Sequence, residues 1–190
     1  CVKTGTLARH EMNYKFCVQT DPGRARENNE DSVAFDDDTH LAVLADGMGG
    51  YNAGEIASGM ATAFIKSELS RWLSQAGEQA PVEQVRRAIE ICVDNANRSI
   101  FNASNSNAQY SGMGTTLVVG VFLGSKLILG HIGDSRCYRL RGNTLLQKNF
   151  RGGNLTVVGA NAPAGLRSSS IRVLLFDEVD AYPISAGTEG

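Results

Sequence analysis

The residues best suited to chemistry are acids that lie beside glycines in two polar loops. The stretch DGMGG follows an apolar run and places Asp46 next to Gly47. Upstream, the loop DPGRARENNED ends in Glu30 and Asp31 and also carries Arg26. Carboxylate and carbonyl oxygens are the ligands that Mg²⁺ and Mn²⁺ prefer, and an arginine fork can hold a phosphate. These residues therefore predict a dimetal site for a phosphate ester.

The glycines of DGMGG have a predicted role in shaping this site. We expect a strand to end in Asp46, and Gly47 to let the chain turn sharply while its carbonyl stays open as a ligand. Gly49 and Gly50 would leave room for a substrate phosphate. Each motif is weak on its own, because an Asp-Gly pair is a common turn and an acidic loop is usually solvated.

Apolar periodicity predicts the elements that position these loops. Strands are predicted at 14–20, 32–36 and 40–46, and the third is apolar enough to be buried on both faces. Two helices follow, the first with Asn52 as N-cap and the second opening at Pro81. The residues expected to face the core are Ile56, Met60, Ala63, Leu69, Trp72 and Leu73 in the first helix, and Val82, Val85, Ile89, Cys92, Ala96 and Ile100 in the second.

The second half of the chain predicts more strands and then a change of pattern. TTLVVGVFL, KLILGHIG and RCYRLR read as strands joined by short turns, so helices between two groups of meandering strands indicate an α+β fold. Beyond Gln147 a strand, a turn, a short helix and a strand follow in an α/β manner. We therefore expect a leader or read-through segment at 1–12, a main domain at 13–147 and a fragment at 148–190.

Composition narrows the class of protein. The 190 residues are 42% hydrophobic and carry 18 basic and 20 acidic residues, a formal net charge of -2. This gives no polybasic signature of nucleic-acid or membrane-surface binding. The four cysteines lie far apart without a CxxC motif, which is typical of reduced cysteines. With no apolar run of transmembrane length, we expect a cytoplasmic protein.

Four motifs occur in a fixed succession, namely GRARENNED, VLADGMGGYNAGEIAS, SGMGTTL and GHIGDSRCYRL. Their order and spacing closely resemble the bacterial branch of the PPM family, the metal-dependent serine/threonine phosphatases of type 2C. The resemblance covers residues 13–147 and implies an αββα sandwich, here incomplete, with two or three Mn²⁺ or Mg²⁺ ions at one end. It also implies hydrolysis of phosphoserine and phosphothreonine proteins by a metal-bridging hydroxide, and a cognate serine/threonine kinase as a partner.

The resemblance implies a role for each matching residue. These are phosphate binding for Arg26, metal bridging for Asp46, a carbonyl ligand at Gly47, direct or water-mediated metal binding for Glu30 and Asp31, and a third-metal aspartate at Asp134. Met48 replaces the histidine that eukaryotic members carry as a proposed general acid. The three histidines of the chain are not expected to replace it: His10 lies in the predicted leader, His40 at a strand start, and His131 within a strand, where it is interpreted as structural. Ser135 lacks a nearby base in the sequence and is not expected to act as a nucleophile.

After RLRGNTLLQ the resemblance to the phosphatases stops. The family continues with segments like TxDHS, SDG and DN, and two aspartates of these segments ordinarily complete the binuclear site. None is recognisable here, so we expect weak activity or none from the 190-residue chain. Asp177 ends an apolar strand, but Glu178 stands where the glycine of SDG would be, which disfavours it as a substitute.

The tail instead resembles the Walker B region of the large subunit of phage terminases, the DNA-packaging ATPases. This resemblance implies contact with the Mg²⁺ of a nucleotide for Asp177 and activation of water for Glu178. No GxxxxGK[ST] phosphate loop occurs in the chain, so ATP hydrolysis is not expected. A non-catalytic module that binds phosphoproteins or metal, and a terminase ATPase fragment, remain the alternatives to the phosphatase.

Overall fold

Two antiparallel sheets and two long helices make up the part of the chain that the computed structural model describes, which is residues 14–22, 28–49, 53–124, 126–141, 144–146 and 171–176. The elements in chain order are β1 Asp31–Asp36, β2 Leu41–Met48, α1 Ala53–Ala76, α2 Val82–Ser106, a 3₁₀ turn Ala108–Tyr110, β3 Gly114–Thr115, β4 Leu117–Leu123, β5 Lys126–Ile132, β6 Arg136–Arg141, β7 Thr144–Leu146 and β8 Ile171–Phe176. The sequence predicted β1, β2, both helices and the strands β4 to β6.

The first sheet has the order β1-β2-β4-β5, and the short β3 pairs with the end of β2. Leu41, Val43 and Ala45 of β2 belong to the core that the sheet shares with the helices. Ala42 and Leu44 alternate with them and are also buried. Because successive strand residues point to opposite faces, β2 is buried on both faces, as its continuous apolar run predicted.

The buried face of α1 agrees with the prediction at Leu69 and Leu73 and differs from it at the other predicted positions. The predicted residues Ile56, Met60 and Trp72 lie only partly buried at the edge of the core, and Ala63 is exposed. The residues buried along the helix are Ala53, Gly54, Ala57, Ser58, Ala61, Thr62, Ile65, Leu69 and Leu73. The N-terminal half of this face is built of small residues, which let the helix approach the sheet closely. A search for large apolar side chains therefore misses the small buried residues of this half of the helix.

The α2 stripe is confirmed, with Val82 as the exception. The buried residues are Val85, Ala88, Ile89, Cys92, Ala96 and Ile100. Val82 is only partly buried at the first position of the helix, immediately after Pro81. α2 packs against α1 and β5, and its approach to β5 is so close that a Cβ on Gly130 would lie 2.9 Å from Ile89 Cγ2.

The strand predicted at 14–20 is wrong as a strand, although its aromatic side chains do pack on the sheet. The ring of Tyr14 contacts those of His40 and Phe122, and the ring of Phe16 stacks on that of Phe35. A strand requires a neighbour that completes its hydrogen-bond ladder, and within the described ranges no strand pairs with this segment. Alternation of side chains alone could not reveal that.

The second sheet has the order β7-β6-β8. β8 lies in the terminase-like tail, and it pairs antiparallel with β6, placing Phe176 opposite Arg136. The backbone of residues 171–176 therefore joins a strand of the main domain, and the boundary near residue 147 stays a prediction. The predicted leader, Asn52, Gly50 and the other elements of the tail lie outside the described residues.

Both sheets are antiparallel, and the helices occupy a separate stretch of the chain between the strands. This confirms the predicted α+β class. In the described ranges, neither helix combines the length and apolar character needed to cross a membrane.

Candidate active site

The β1–β2 pair brings the predicted acids of the two loops together. Asp31 at the start of β1 is the register partner of Asp46 near the end of β2. Side chains of directly opposite residues project from the same face of a sheet, with Cβ atoms about 5 Å apart. The two carboxylates, separated by fifteen positions in sequence, are thus neighbours at one end of the strand pair.

Gly47 is required by crowding and not by a turn, which corrects the sequence prediction. β2 continues through Gly47 to Met48, and Gly47 is not among the glycines with positive φ. A Cβ at this position would lie 2.0 Å from the carbonyl oxygen of Gly54 and 2.8 Å from that of Glu30. β2 ends at Met48, and the next residue, Gly49, has a positive φ of 155°. Asp46 is therefore inside the strand, two residues before its end.

Glu30 contacts both this end of the sheet and the first residues of α1. Its carbonyl oxygen accepts hydrogen bonds from the Gly47 N–H at 3.0 Å and from the Ser58 hydroxyl at 2.5 Å. Its carboxylate lies against the backbone of Gly54, in the first turn of α1. The partial positive charge of a helix N-terminus favours a carboxylate at this place.

Two consecutive threonines hold the backbone of Asp46. The Thr116 N–H and the Thr115 hydroxyl both donate to the Asp46 carbonyl oxygen, at 2.8 and 2.9 Å. The Asp46 N–H donates to the Thr116 hydroxyl at 2.9 Å. Both backbone polar groups of Asp46 are therefore satisfied by the β3–β4 segment.

Asp134 lies in the exposed turn between β5 and β6, next to Ser135, which is fully buried. The Ser135 hydroxyl lies 2.6 Å from that of Thr116, and the Ser135 carbonyl accepts a hydrogen bond from His131 Nε2 at 2.6 Å. A carbonyl can only accept, so Nε2 carries a proton. These contacts agree with the structural interpretation of His131 and with the prediction that Ser135 is not a nucleophile, because a buried, hydrogen-bonded serine is unsuited to nucleophilic attack.

The predicted site residues are only partly assembled by the described structure. Glu30, Asp31, Asp46 and Gly47 meet at the end of the β1–β2 pair, and Asp134 is linked to them through Ser135 and Thr116. Arg26, Asp177 and Glu178 lie outside the described residues. In the described ranges, no three His, Cys, Asp or Glu side chains are close enough together to hold a metal ion. The oxygens of these residues are the kind of donor that Mn²⁺ and Mg²⁺ prefer, but the described residues do not make up a complete set of metal ligands.

A cleft of about 410 Å³ lies elsewhere, between α2 and β5. Its lining includes Glu90, Asp94, Ile132 and His131 and none of the predicted site residues. The cleft therefore does not coincide with the acidic end of the first sheet.

Sequence reasoning missed the residues that support the acids. Ser58 and Thr116 are both buried and bind the backbone of Glu30 and Asp46. The motif SGMGTTL carried the only available signal, since paired threonines after a glycine near a strand start can bond to neighbouring backbone. That signal does not say which backbone they bind.

Comparison with known proteins gives the family. Residues 22–150 match the family described as Protein phosphatase 2C. The match covers more than half of the chain and agrees with the fold, so the chain belongs to the protein phosphatase 2C family. Residues 123–190 also match the family described as Phage terminase large subunit gpA, ATPase domain, which overlaps the end of the phosphatase match.

Bacterial serine/threonine phosphatases are among the similar proteins. The chain is 35% identical over 143 residues to the serine/threonine phosphatase stp of Listeria welshimeri, covering 72% of this chain and 53% of that protein. It is 36% identical over 141 residues to the serine/threonine protein phosphatase PstP of Mycobacterium tuberculosis, covering 74% of this chain and 26% of that protein. The chain thus spans about half of the first relative and about a quarter of the second.

Solved structures show the same likeness in three dimensions. The crystal structure of the Mycobacterium tuberculosis phosphatase PstP/Ppp aligns with a TM-score of 0.60 at 37% identity, covering 70% of this chain and 52% of that one. The catalytic domain of PstP in complex with two manganese ions aligns with a TM-score of 0.55 at 38% identity, covering 67% and 51%. The likeness confirms the predicted PPM-type fold, with only part of it present in this chain.

Proposed function

We propose that this chain carries the N-terminal part of a phosphoserine and phosphothreonine phosphatase site that uses Mn²⁺ or Mg²⁺. The observation that carries the proposal is the pairing of Asp31 with Asp46 beside the crowded Gly47. Metal ions bound there would activate water and neutralise the charge that develops on the phosphoryl group. The manganese ions of the PstP structure support this choice of metal.

The proposed residue roles are those implied by the family resemblance, and the geometry of the strand pair supports them. Asp46 would bridge two ions, because both of its backbone polar groups are hydrogen-bonded and Asp31 is its partner across the strand pair. The Gly47 carbonyl would be a second ligand beside the Asp46 carboxylate. Glu30 and Asp31 would bind metal directly or through water. Asp134 would contact a third ion.

Arg26 would hold the phosphate by a bidentate contact, and it lies in the same polar loop as Glu30. Substrates would be phosphoserine and phosphothreonine proteins, which a cognate serine/threonine kinase would supply. The Protein phosphatase 2C match ends at residue 150, and Asp177 and Glu178 follow in the terminase-like tail. We therefore expect weak turnover or none from the 190-residue chain. Walker B-type roles for Asp177 and Glu178 are expected only in a chain that has a phosphate loop.

Metal binding and turnover of p-nitrophenyl phosphate by the full 190-residue chain test the proposal. Asp46→Asn should abolish saturable Mn²⁺ binding and any Mn²⁺-dependent turnover, because it removes the bridging charge. Asp37→Asn is the matched control, since Asp37 is an exposed acid at the opposite end of the same strand pair. Binding that is lost equally in both variants, or in neither, would contradict the assignment of the site.

The phosphate role of Arg26 needs a second pair of variants. Arg26→Ala should raise the KM for p-nitrophenyl phosphate and leave Mn²⁺ affinity unchanged, because arginine binds phosphate and not metal. Arg24→Ala, two residues earlier in the same loop, serves as the control. An equal rise in KM for both would assign the effect to the charge of the loop.

A further inference from the structure

Thr116 occupies an unusual position in the first sheet, between β3 and β4. In a regular antiparallel pair, hydrogen-bonded facing residues exchange both backbone bonds. Here the Thr116 N–H donates to the Asp46 carbonyl at 2.8 Å, but the Asp46 N–H donates to the Thr116 hydroxyl at 2.9 Å. The side-chain oxygen of Thr116 thus takes the place of a backbone carbonyl, and it interrupts the ladder beside Asp46.

The same side chain contacts both neighbours of Asp134. Its hydroxyl lies 2.6 Å from the hydroxyl of Ser135, and one of the two donates to the other. Its methyl group lies against Gly133, where a Cβ would come within 2.7 Å of Thr116 Cγ2. Gly133 has a φ of 94°, so the turn that carries Asp134 both favours glycine and leaves no room for a side chain.

Burial makes these contacts strong constraints. Thr116 is 4% exposed and Ser135 is fully buried. A buried hydroxyl or amide group that loses its hydrogen-bond partner has no water to replace it, which costs free energy. Displacement of Thr116 from Asp46 or Ser135 is therefore unfavourable. Thr116 therefore connects two acidic segments that lie far apart in sequence.

We propose that Thr116 is a positioning residue that sets the spacing between Asp46 and Asp134 and thereby the affinity of the site for Mn²⁺. The inference rests on the proposed function in one respect, that these two aspartates bind metal. Thr116 itself holds the backbone beside the aspartates. Supporting groups of this kind typically change metal affinity when they are removed.

Mn²⁺ titration of the full chain, followed by the electron paramagnetic resonance of free Mn²⁺, tests the inference. Thr116→Val keeps the branched shape and loses the hydroxyl, so it should weaken Mn²⁺ binding by about tenfold or more. Thr116→Ser keeps the hydroxyl and should restore most of the affinity. This rescue separates the hydroxyl from a general effect of packing.

A second measurement needs no metal. In the metal-free chain, Thr116→Val should speed hydrogen exchange at the Asp46 amide, because its acceptor is gone, and Thr116→Ser should preserve the slow exchange. Thr39→Val is the control, since Thr39 donates to the Ser70 hydroxyl at 3.2 Å at the other end of the β1–β2 pair. It should alter neither the exchange at Asp46 nor the Mn²⁺ affinity.

The outcomes separate this inference from the function on which it rests. If the unaltered chain binds Mn²⁺, Asp46→Asn abolishes binding and Thr116→Val binds normally, the inference is overturned and the metal site stands. An equal loss of affinity in Thr39→Val would likewise overturn it. If the unaltered chain shows no saturable Mn²⁺ binding, both the proposed function and the inference fail.

Discussion

Asp31 and Asp46 face each other at one end of the β1–β2 pair, where every other register pair along the two strands contains at least one uncharged residue. Like charges directly opposite on a sheet destabilise it. The repulsion between the two carboxylates by itself disfavours the strand pairing, and a cation bound between the strands, as proposed above, would offset it. Functional sites typically carry such a cost in stability.

Asp31→Asn should separate these two effects. We expect the metal-free chain to gain about 0.2–1 kcal/mol in the free energy of unfolding, because the repulsion with Asp46 is removed. The same change should weaken Mn²⁺ binding, so that added Mn²⁺ raises the melting temperature less than in the unaltered chain. Thermal unfolding with and without Mn²⁺ measures both.

Asp37→Asn is again the control, as an exposed loop acid far from the pair. It should leave the metal-dependent shift in melting temperature intact. If Asp31→Asn lowers metal-free stability, then its carboxylate makes a net favourable contact in the fold, and the repulsion argument is wrong.

Gly47 and Gly59 give a matched pair of glycines with opposite expectations. Gly47→Ala places a Cβ 2.0 Å from the Gly54 carbonyl, and backbone on both sides limits its escape. We expect it to cost about 3 kcal/mol or more in the free energy of unfolding, at the upper end of overpacking effects. Gly59 lies inside α1 with nothing within 4 Å of its Cβ position.

Gly59→Ala should stabilise the chain by about 0.5–1 kcal/mol, because alanine is the better helix residue and meets no obstacle. Urea denaturation of both variants and of the unaltered chain measures the difference. If Gly47→Ala lowers the free energy of unfolding only slightly, the N-terminal end of α1 shifts to make room, and the close approach of Gly47 to Gly54 is not needed for the fold.

Sequence patterns predicted where most strands and helices lie better than they predicted which helix face is buried and which segments pair. β1, β2, β4, β5 and β6 follow from apolar runs between turn signals, because these runs are local. The buried stripe of α1 was predicted correctly only at Leu69 and Leu73, because small buried residues such as Ala57 and Ala61 carry little hydrophobic signal. Whether residues 14–20 form a strand depends on a pairing partner, which is a non-local property.

The candidate site shows the same division. Motif order placed Asp31, Asp46 and Gly47 in one site, and the strand register brings them together. The reason for Gly47 was mistaken, since a turn and a close contact both demand glycine and only coordinates distinguish them. Thr116 was missed because its partners, Asp46 and Ser135, come from two other parts of the chain.

The buried thiol of Cys92 predicts a dependence of stability on alkaline pH. Burial raises the pKa of Cys92 above its ordinary value of 9.0, the negative charge of Glu68 raises it further, and Arg71 opposes the rise. The unfolded chain then loses this proton at lower pH than the folded chain does. Stability from Cys92 is therefore fully present below about pH 9 and is lost as the pH rises through the raised pKa.

Cys92→Ala should flatten the fall in the free energy of unfolding above pH 9. The slope with pH is the informative quantity, because the smaller side chain also leaves a cavity that lowers stability at every pH. Cys17→Ala is the control, since Cys17 is exposed in the described structure. Urea unfolding across this pH range measures the slopes. Equal slopes in the unaltered chain and in Cys92→Ala would show that other groups cause the alkaline loss of stability and that Cys92 contributes little to it.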